Sequence, residues 1–185
     1  MVFRVITASS CVPIGGFDVE RLPRWAQDSC RSQIEVAKEF IVKADVIVLA
    51  GMWQYQTQSD AFMLAFYRFI EAAAEQNKRV FVLAQIPMFD VNLLRVYRFS
   101  AIGLPVKITQ NKEWKSANSK IEAIVHGASK AKFLDFSESN FFANAPFENG
   151  FLIYHDNHHL NESDARRYGQ YTASFFQKNL LKIDN

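Results

Sequence analysis

The densest cluster of polar side chains lies near the C-terminal end of the sequence. The stretch Tyr154-His-Asp-Asn-His-His-Leu-Asn161 holds three of the four histidines within five residues. Asp156 and His159 are three residues apart, and in a turn before a helix that spacing can bring the carboxylate to one imidazole nitrogen. The carboxylate would fix the tautomer and stabilise the imidazolium, which leaves the other nitrogen as a general base. The alternative is a purely structural loop, because Asp and His are also common in loops and helix caps.

A metal site is a second interpretation of the same cluster. His155, His158 and His159, together with Asp156, are ligand types that transition metals accept. Their spacing is neither a helical pair of histidines four residues apart nor a recognisable zinc pattern, and the adjacent side chains of His158 and His159 would often point in different directions. We therefore predict no metal and no cofactor at this cluster.

A second candidate position follows an apolar run that ends in glycine. Gly51 closes the stretch Asp45-Val-Ile-Val-Leu-Ala-Gly51 and is followed by Met52 and Trp53. A glycine there lets the backbone approach a ligand and offer its N–H to an oxyanion. The alternative is an ordinary turn from strand to helix, with Trp53 packed over the core. No Walker A loop and no Gly-x-Gly-x-x-Gly motif is present, so nucleotide binding has little support.

The elements that must position these residues alternate along the chain. The predicted strands cover residues 2–8, 45–51, 79–85, 132–136 and, as a short fifth, 151–154. The predicted helices cover residues 30–44, a segment capped by Ser59, residues 91–100, residues 113–126 and a final segment capped by Asn161. Such alternation predicts βαβ units in a mostly parallel sheet, covered by helices in three layers. Sites in such α/β folds lie outside the carboxyl ends of the strands.

Composition narrows the class of protein. The chain has 185 residues, 49% of them hydrophobic, and 17 are Phe, which excludes intrinsic disorder. We predict one domain over residues 1–185. A net charge of +2 with scattered basic residues does not favour nucleic-acid binding. The best apolar run, residues 44–52, contains Asp45 and is too short to span a membrane, and no signal peptide is visible. Two cysteines are too few to indicate a disulfide framework, and two unrelated thiols remain an alternative.

The cluster and three further stretches resemble a known family. Asp156-Asn-His-His159-Leu-Asn161, followed by a helix, resembles the last conserved block of SGNH hydrolases, in which an Asp-x-x-His pair supplies two members of a Ser-His-Asp triad. The resemblance is strongest to the SGNH domain fused to membrane acyltransferases that O-acylate cell-surface polysaccharides. Three other stretches support this branch: Thr7-Ala-Ser-Ser-Cys11-Val-Pro13 with Cys30 downstream, Asp45 to Trp53, and Ala84-Gln-Ile-Pro87.

The resemblance implies a fold, a site and partners. The fold would be a flavodoxin-like, three-layer α/β sandwich in an extracytoplasmic (periplasmic) domain of an inner-membrane protein. His159 and Asp156 would be catalytic, Gly51 and Trp53 would contribute to oxyanion and substrate binding, and Cys11 and Cys30 would form a disulfide. The partners would be an acyl donor, a glycan acceptor and a membrane acyltransferase domain in the same polypeptide. A stand-alone esterase or lipase, and a non-catalytic glycan-binding remnant, are the alternatives.

The sequence also departs from the family pattern. The first block of the family is a strand ending in Gly-Asp-Ser, which supplies the nucleophile, and no Gly-Asp-Ser occurs here. Ser9 and Ser10 match the cysteine loop instead. The third block normally reads Gly-x-Asn, whereas this chain reads Gly51-Met-Trp53. We therefore expect an N-terminally truncated fragment, or a degenerate domain as the alternative. In the family the strand order is 2-1-3-4-5, so the absent strand would be internal. Either residues 2–8 close onto residues 45–51, or another chain, including a second copy, fills the gap.

Overall fold

Three parallel strands form the central sheet of a computed structural model that describes residues 4–104 and 106–180. These strands are β1 (Val46–Leu49), β2 (Arg79–Leu83) and β5 (Ala131–Leu134), in the spatial order β1-β2-β5. Val46 lies opposite Arg79, and Val80 lies opposite Ala131. Short apolar runs of this kind suit strands of a parallel sheet with helices against it. The predicted fold class, α/β with a mostly parallel sheet, is confirmed.

The chain divides into two units, which are described separately. The first unit comprises Met1–Gln85 and Lys115–Leu134, and the second comprises Ile86–Trp114 and Asp135–Asn185. The first unit holds the sheet, α1 (Arg24–Lys43), α2 (Trp53–Gln56), α3 (Asp60–Glu75) and most of α5 (Glu113–His126). The sequence located each of the three long helices, and the predicted bounds of α5 agree with the structure.

The core of the first unit explains why its helices form where they do. Apolar residues recur at helical spacing in α1 and α3, so one face of each helix is buried. Ser59 begins α3 as predicted, because its hydroxyl accepts a hydrogen bond of 2.9 Å from the backbone N–H of Phe62. The largest fully buried side chains of this core include Trp53, Phe62, Phe66, Ile14, Ile70 and Ile121.

The predicted first strand is wrong over the part of it that the structure describes. Residues 4–7 form no strand, and Ala8 makes only an isolated bridge to Cys11 across a tight turn in which Ser10 has a φ of 60°. Residues 2 and 3 lie outside the described residues. An apolar segment becomes a strand only where a neighbouring strand supplies hydrogen-bond partners. Within the described ranges, β1 pairs with β2 alone, so residues 4–8 do not close onto it.

The second unit is built around two short antiparallel pairs. β3 (Met88–Phe89) pairs with β4 (Gln110–Asn111), and β6 (Phe147–Glu148) pairs with β7 (Phe151–Leu152). The predicted fifth strand, 151–154, is therefore one side of a hairpin. Asn149 and Gly150 turn it with φ values of 50° and 81°, the geometry that an Asn-Gly pair favours.

The described residues of the second unit also include two long helices. They are α4 (Leu93–Ala101) and α6 (Glu162–Leu180). The core of this unit contains Phe89, Leu93, Phe141, Phe142, Ile153 and Tyr154. Among the described residues, no helix is both long and apolar enough to cross a bilayer.

Candidate active site

The polar cluster forms a closed loop between β7 and α6. The backbone N–H of His155 donates to the carbonyl of His159 at 2.8 Å, and the N–H of Asn161 donates to the carbonyl of Ile153 at 3.0 Å. Tyr154 and Leu160 form an antiparallel bridge between these two bonds. The loop is thus shaped like a small hairpin whose tip carries the histidines.

Asn161 joins this loop to the helix behind it. Its side-chain oxygen accepts from the backbone N–H of Asp164 at 2.9 Å, so Asn161 caps α6 as predicted. Its side-chain nitrogen donates to the carbonyl of Leu152 at 3.0 Å. One side chain therefore fixes the start of the helix and the end of β7 together.

Asp156 organises the tip of the loop. One carboxylate oxygen, Oδ1, accepts hydrogen bonds from the backbone N–H groups of His158 at 2.9 Å and His159 at 2.8 Å. The other oxygen, Oδ2, lies 2.7 Å from Nδ1 of the His159 ring. The structure thus brings the two residues of the predicted pair into direct contact, with the backbone of the same turn holding the carboxylate in place.

The protonation of Asp156 decides the tautomer of His159. Burial alone would raise the pKa of Asp156, but hydrogen bonds from the His159 ring and from the backbone N–H groups of His158 and His159 outweigh it and lower the pKa to about 2. An ionised carboxylate only accepts hydrogen bonds, so Nδ1 of His159 carries the proton. Nε2 of the neutral ring then has a free lone pair, which is the arrangement that a general base requires.

Exposure separates the two adjacent histidines. The side chain of His159 is 65% exposed, whereas that of His158 is 27% exposed. Nδ1 of His158 lies 2.6 Å from the side-chain oxygen of Asn157. The ring centroids of His158 and His159 are 3.9 Å apart, and the ring planes are tilted by 43°. Burial, followed by the nearby charge of His159, lowers the pKa of His158, and Asp156 opposes this effect. His159 is therefore the imidazole open to an incoming reactant.

Phe89 and Pro87, which the sequence did not connect with this loop, both form hydrogen bonds with it. The backbone carbonyl of Asn157 accepts from the N–H of Phe89 at 2.9 Å, which ties the tip to β3. The hydroxyl of Tyr154 donates to the carbonyl of Pro87 at 2.8 Å, and its ring meets Phe89 edge to face. Burial raises the pKa of Tyr154, so its hydroxyl stays protonated and serves as a structural donor. Such long-range partners leave no local signal in the sequence.

The same loop also brings together side chains of the types that bind metal ions. Asp156, His158 and His159 offer donor atoms that lie within 4.8 Å of one another. Oδ2 of Asp156 and Nδ1 of His159 already bond to each other, so a cation held by these two atoms would have to replace that bond. His155 does not belong to this group of donors. The arrangement favours the hydrogen-bonded pair.

Gly51 and Trp53 lie in the first unit, after β1. A Cβ added to Gly51 would meet Val12 Cγ2 at 2.6 Å, so glycine is needed here for close packing. Trp53 is fully buried, and its indole N–H donates to the carbonyl of Leu83 at 2.7 Å. The structure therefore gives Trp53 a role in the core and no exposed surface for a substrate. An oxyanion contribution from the backbone at Gly51 remains a prediction.

A buried amide network lies at the end of β2. Gln85 and Asn118 exchange two hydrogen bonds of 2.8 and 3.0 Å between backbone and side chain. The Gln85 side-chain oxygen also accepts from the backbone N–H of Gln54 at 2.8 Å. The sequence predicted only a turn at Gln85-Ile-Pro87. The backbone N–H of Gln54 already donates to Gln85, so it is not available to an oxyanion. A donor in the turn after β1 would therefore have to be the N–H of a residue before Gln54.

The two cysteines meet in the first unit. Their sulfur atoms form a bond of 2.07 Å, and their Cα atoms are 5.7 Å apart. Cys30 is fully buried in α1, and Cys11 ends the tight turn that contains Ser10. The bond ties the loop that bears Ser9 and Ser10 to the longest helix of the first unit.

Comparison with known proteins places the chain in a family. The model of the SGNH domain, described as fused to AT3 domains, matches residues 2–173. Among solved structures, the periplasmic domain of the lipopolysaccharide acetyltransferase of Salmonella ser. Paratyphi A is similar, with a TM-score of 0.52 and 15% identity over 89% of this chain and 67% of that chain. At that identity the likeness shows a shared fold. No curated protein sequence matches the chain. Because the family model covers most of its length, the chain belongs to the SGNH domain family whose members are fused to AT3 domains.

Proposed function

We propose that this chain is the extracytoplasmic SGNH portion of a membrane O-acyltransferase, which moves an acyl group, acetyl in the first instance, onto a hydroxyl of a cell-surface glycan. The observation that carries the proposal is the 2.7 Å contact between Asp156 Oδ2 and His159 Nδ1, at the position where the family has its Asp-x-x-His pair. The fusion of the family to AT3 domains and the similarity to a lipopolysaccharide acetyltransferase domain support the transferase over other esterase chemistry.

The proposed reaction has two steps that share one base. In the first, a serine oxygen attacks the acyl carbonyl of the donor while Nε2 of His159 takes the serine proton. That proton passes to the departing group of the donor, which leaves an acyl-serine. In the second step, His159 takes the proton of the glycan hydroxyl as its oxygen attacks the acyl-serine, and the serine recovers its proton. Asp156 stabilises the imidazolium in both steps. The proposal requires no cofactor and no metal.

The serine is proposed to come from a segment outside these 185 residues. The sequence contains no Gly-Asp-Ser, and Ser9 and Ser10 belong to the turn that leads to Cys11. Among the described strands, β1 has one unpaired edge, and Val48 on it is 44% exposed. A further parallel strand at that edge would gain hydrogen bonds and bury apolar surface. A second copy of the chain at the same edge is the alternative occupant.

The extracytoplasmic location is part of the proposal. Disulfides persist in oxidising compartments and are rare in the cytosol, so the bond between Cys11 and Cys30 supports a periplasmic position. A membrane acyltransferase domain in the same polypeptide would deliver the acyl donor. The buried position of Cys30 makes this pairing part of the fold of the first unit.

Two alternatives each rest on one observation. A stand-alone esterase would use the same pair and pass the acyl group to water, which the 65% exposure of the His159 side chain would allow. A non-catalytic glycan-binding remnant would explain the missing Gly-Asp-Ser block. Incubation with a chromogenic acetyl ester separates the remnant from the enzymes, provided that the coding region upstream of Met1 is included.

The decisive experiment measures the acetyl content of the cell-surface glycan. Cells that lack the gene would be complemented with the complete coding region, either unchanged or with His159→Ala, and the O-acetyl groups would be counted by NMR. We expect acetylation with the unchanged gene and none with His159→Ala. Release of acetate from a small ester, without any change in the glycan, would instead establish the esterase. Acetylation that survives His159→Ala would overturn the proposed base.

A further inference from the structure

Three exposed apolar side chains follow α4 in the second unit. Ile102 is 68% exposed, Leu104 is 57% exposed and Val106 is 41% exposed. They fall within five residues, whereas surface aliphatics of soluble domains are usually scattered singly. We call these three residues the apolar tip.

The backbone holds the start of the apolar tip in a defined shape. The N–H of Leu104 donates to the carbonyl of Phe99, and the N–H of Gly103 donates to the carbonyl of Ser100, both at 3.0 Å. Gly103 has a φ of 79°. These two bonds with a left-handed glycine form a Schellman motif, which ends α4. In that motif the residue at the position of Leu104 usually packs back onto the helix, but here it faces solvent. The exposure of Ile102 and Leu104 is therefore built into a hydrogen-bonded turn.

The apolar tip lies in a segment of the sequence that is rich in positive charge. Residues 91–112 contain four basic residues and no acidic residue. This segment contributes +4 to a chain whose net charge is +2, so the rest of the chain is net negative. Arg95, Arg98 and Lys107 are exposed, and the ion pairs of the described residues include none of them. We call these three residues the cationic rim.

We propose that the apolar tip and the cationic rim together bind the surface of an anionic lipid bilayer. The tip would insert its aliphatic side chains below the headgroups, and the rim would pair with lipid phosphates. A soluble anionic glycan would use the cations but would gain nothing from the exposed aliphatics, and a neutral surface would leave the cations without partners. An anionic lipid interface, which has an apolar layer beneath its charged headgroups, matches both features.

The proposed surface and the catalytic pair belong to the same unit. α4 begins four residues after β3, and Phe89 of β3 donates to the carbonyl of Asn157 in the catalytic loop. Attachment of this unit to a bilayer would therefore keep His159 close to reactants that arrive from the membrane. The lipid-binding inference stands on α4 and its loop, so it does not depend on the catalytic proposal.

The test is sedimentation of the purified chain with vesicles. Vesicles of phosphatidylcholine alone would be compared with vesicles that also contain phosphatidylglycerol, at low and high salt. We expect binding to the anionic vesicles only, and weaker binding as salt rises. A cation near such a surface contributes about fivefold to affinity, so R95Q/R98Q should weaken binding about 25-fold. I102D/L104D should remove it, since both charges would enter the apolar layer.

Matched controls lie on α1, in the other unit. Val42 is 71% exposed, and Lys38 is an exposed cation that pairs with Glu35, so V42D adds one acidic group and K38Q removes one cation elsewhere. We expect both to bind vesicles like the unchanged chain. Thermal unfolding would verify that every variant is folded, and R95Q/R98Q tests the proposal even if I102D/L104D fails to fold.

Several results would overturn the proposal. These are an absence of binding, equal binding to both kinds of vesicle, or the same loss of binding in V42D as in I102D/L104D. If the chain binds no vesicles and I102D/L104D instead converts an oligomer into a monomer in sedimentation velocity, the apolar tip is a contact between copies of the chain.

Discussion

Asp156 receives hydrogen bonds from two adjacent histidines but contacts only one of their rings at bonding distance. Its bond to His159 Nδ1 is 2.7 Å long, whereas its nearest approach to His158 Nδ1 is 3.6 Å. In the complete protein, Asp156→Asn should therefore lower turnover by orders of magnitude, because it removes the charge that stabilises the imidazolium. His158→Ala should cost much less. Steady-state transfer to the glycan measures both, and an equal loss in the two variants would show that the base has been misassigned.

The pKa of the same carboxyl predicts how stability depends on pH. Its pKa falls from 3.8 to about 2 on folding, so the ionised form stabilises the folded chain above pH 4, and this contribution is lost as pH falls through 2. Asp156→Asn should lower the free energy of unfolding by about 1 kcal/mol at pH 7, because solvent around the exposed side chain of His159 screens the contact. Denaturant titrations between pH 7 and pH 2 measure this. A difference between the two proteins that does not shrink below pH 4 would contradict the stabilising role of the charge.

At the scale of elements, the disulfide joins a loop without regular structure to α1. Cys11 and Cys30 are 19 residues apart, and closing a loop of about 20 residues stabilises a fold by roughly 3 kcal/mol in the chain-entropy model. The double variant C11S/C30S should unfold at correspondingly lower denaturant concentration. A reductant should destabilise the unchanged protein and leave C11S/C30S as it was. Two free thiols in protein from an oxidising compartment would count against both the pairing and the proposed location.

In the hairpin of β6 and β7, the turn determines which strand the apolar segment pairs with. Residues 151–154 have the composition of a strand, which predicted a short fifth strand in a mostly parallel sheet. The Asn149-Gly150 pair directly before them instead makes a two-residue turn, so β7 pairs antiparallel with β6. This was a local signal, and it could have been found in the sequence.

At the scale of the whole molecule, the absence of a Gly-Asp-Ser block from the sequence leads to a direct prediction. If the nucleophile lies in the proposed further segment, the 185-residue chain should hydrolyse acetyl esters at background rate, because His159 would then have no serine to activate. Adding the upstream coding region, in cis or as a separate peptide, should restore turnover. The matched control is the same addition to a chain that carries His159→Ala, which should stay inactive. Robust turnover by the chain alone would point to Ser9 or Ser10, and S9A and S10A would then identify the nucleophile.

The sequence by itself determined the fold class, the helices α1, α3, α5 and α6, and the pairing of Asp156 with His159. Each of these rests on a short-range pattern: helical spacing of apolar residues, a capping side chain, or two groups three residues apart in a turn. Local physical chemistry decides such features, so they can be deduced without knowledge of distant contacts.

Only the tertiary structure decided the features that depend on residues far apart in the chain. Whether residues 4–8 form a strand depends on a neighbour for them, and none exists among the described residues. The sequence left open whether Trp53 faces a substrate or the core. The hydrogen bond from its indole N–H to the carbonyl of Leu83, thirty residues later, places it in the core. The loop that carries Asp156 and His159 is likewise held by hydrogen bonds with the distant residues Pro87 and Phe89. Hydrogen bonds and burial of this kind are set when distant segments meet, and periodicity within one segment carries no information about them.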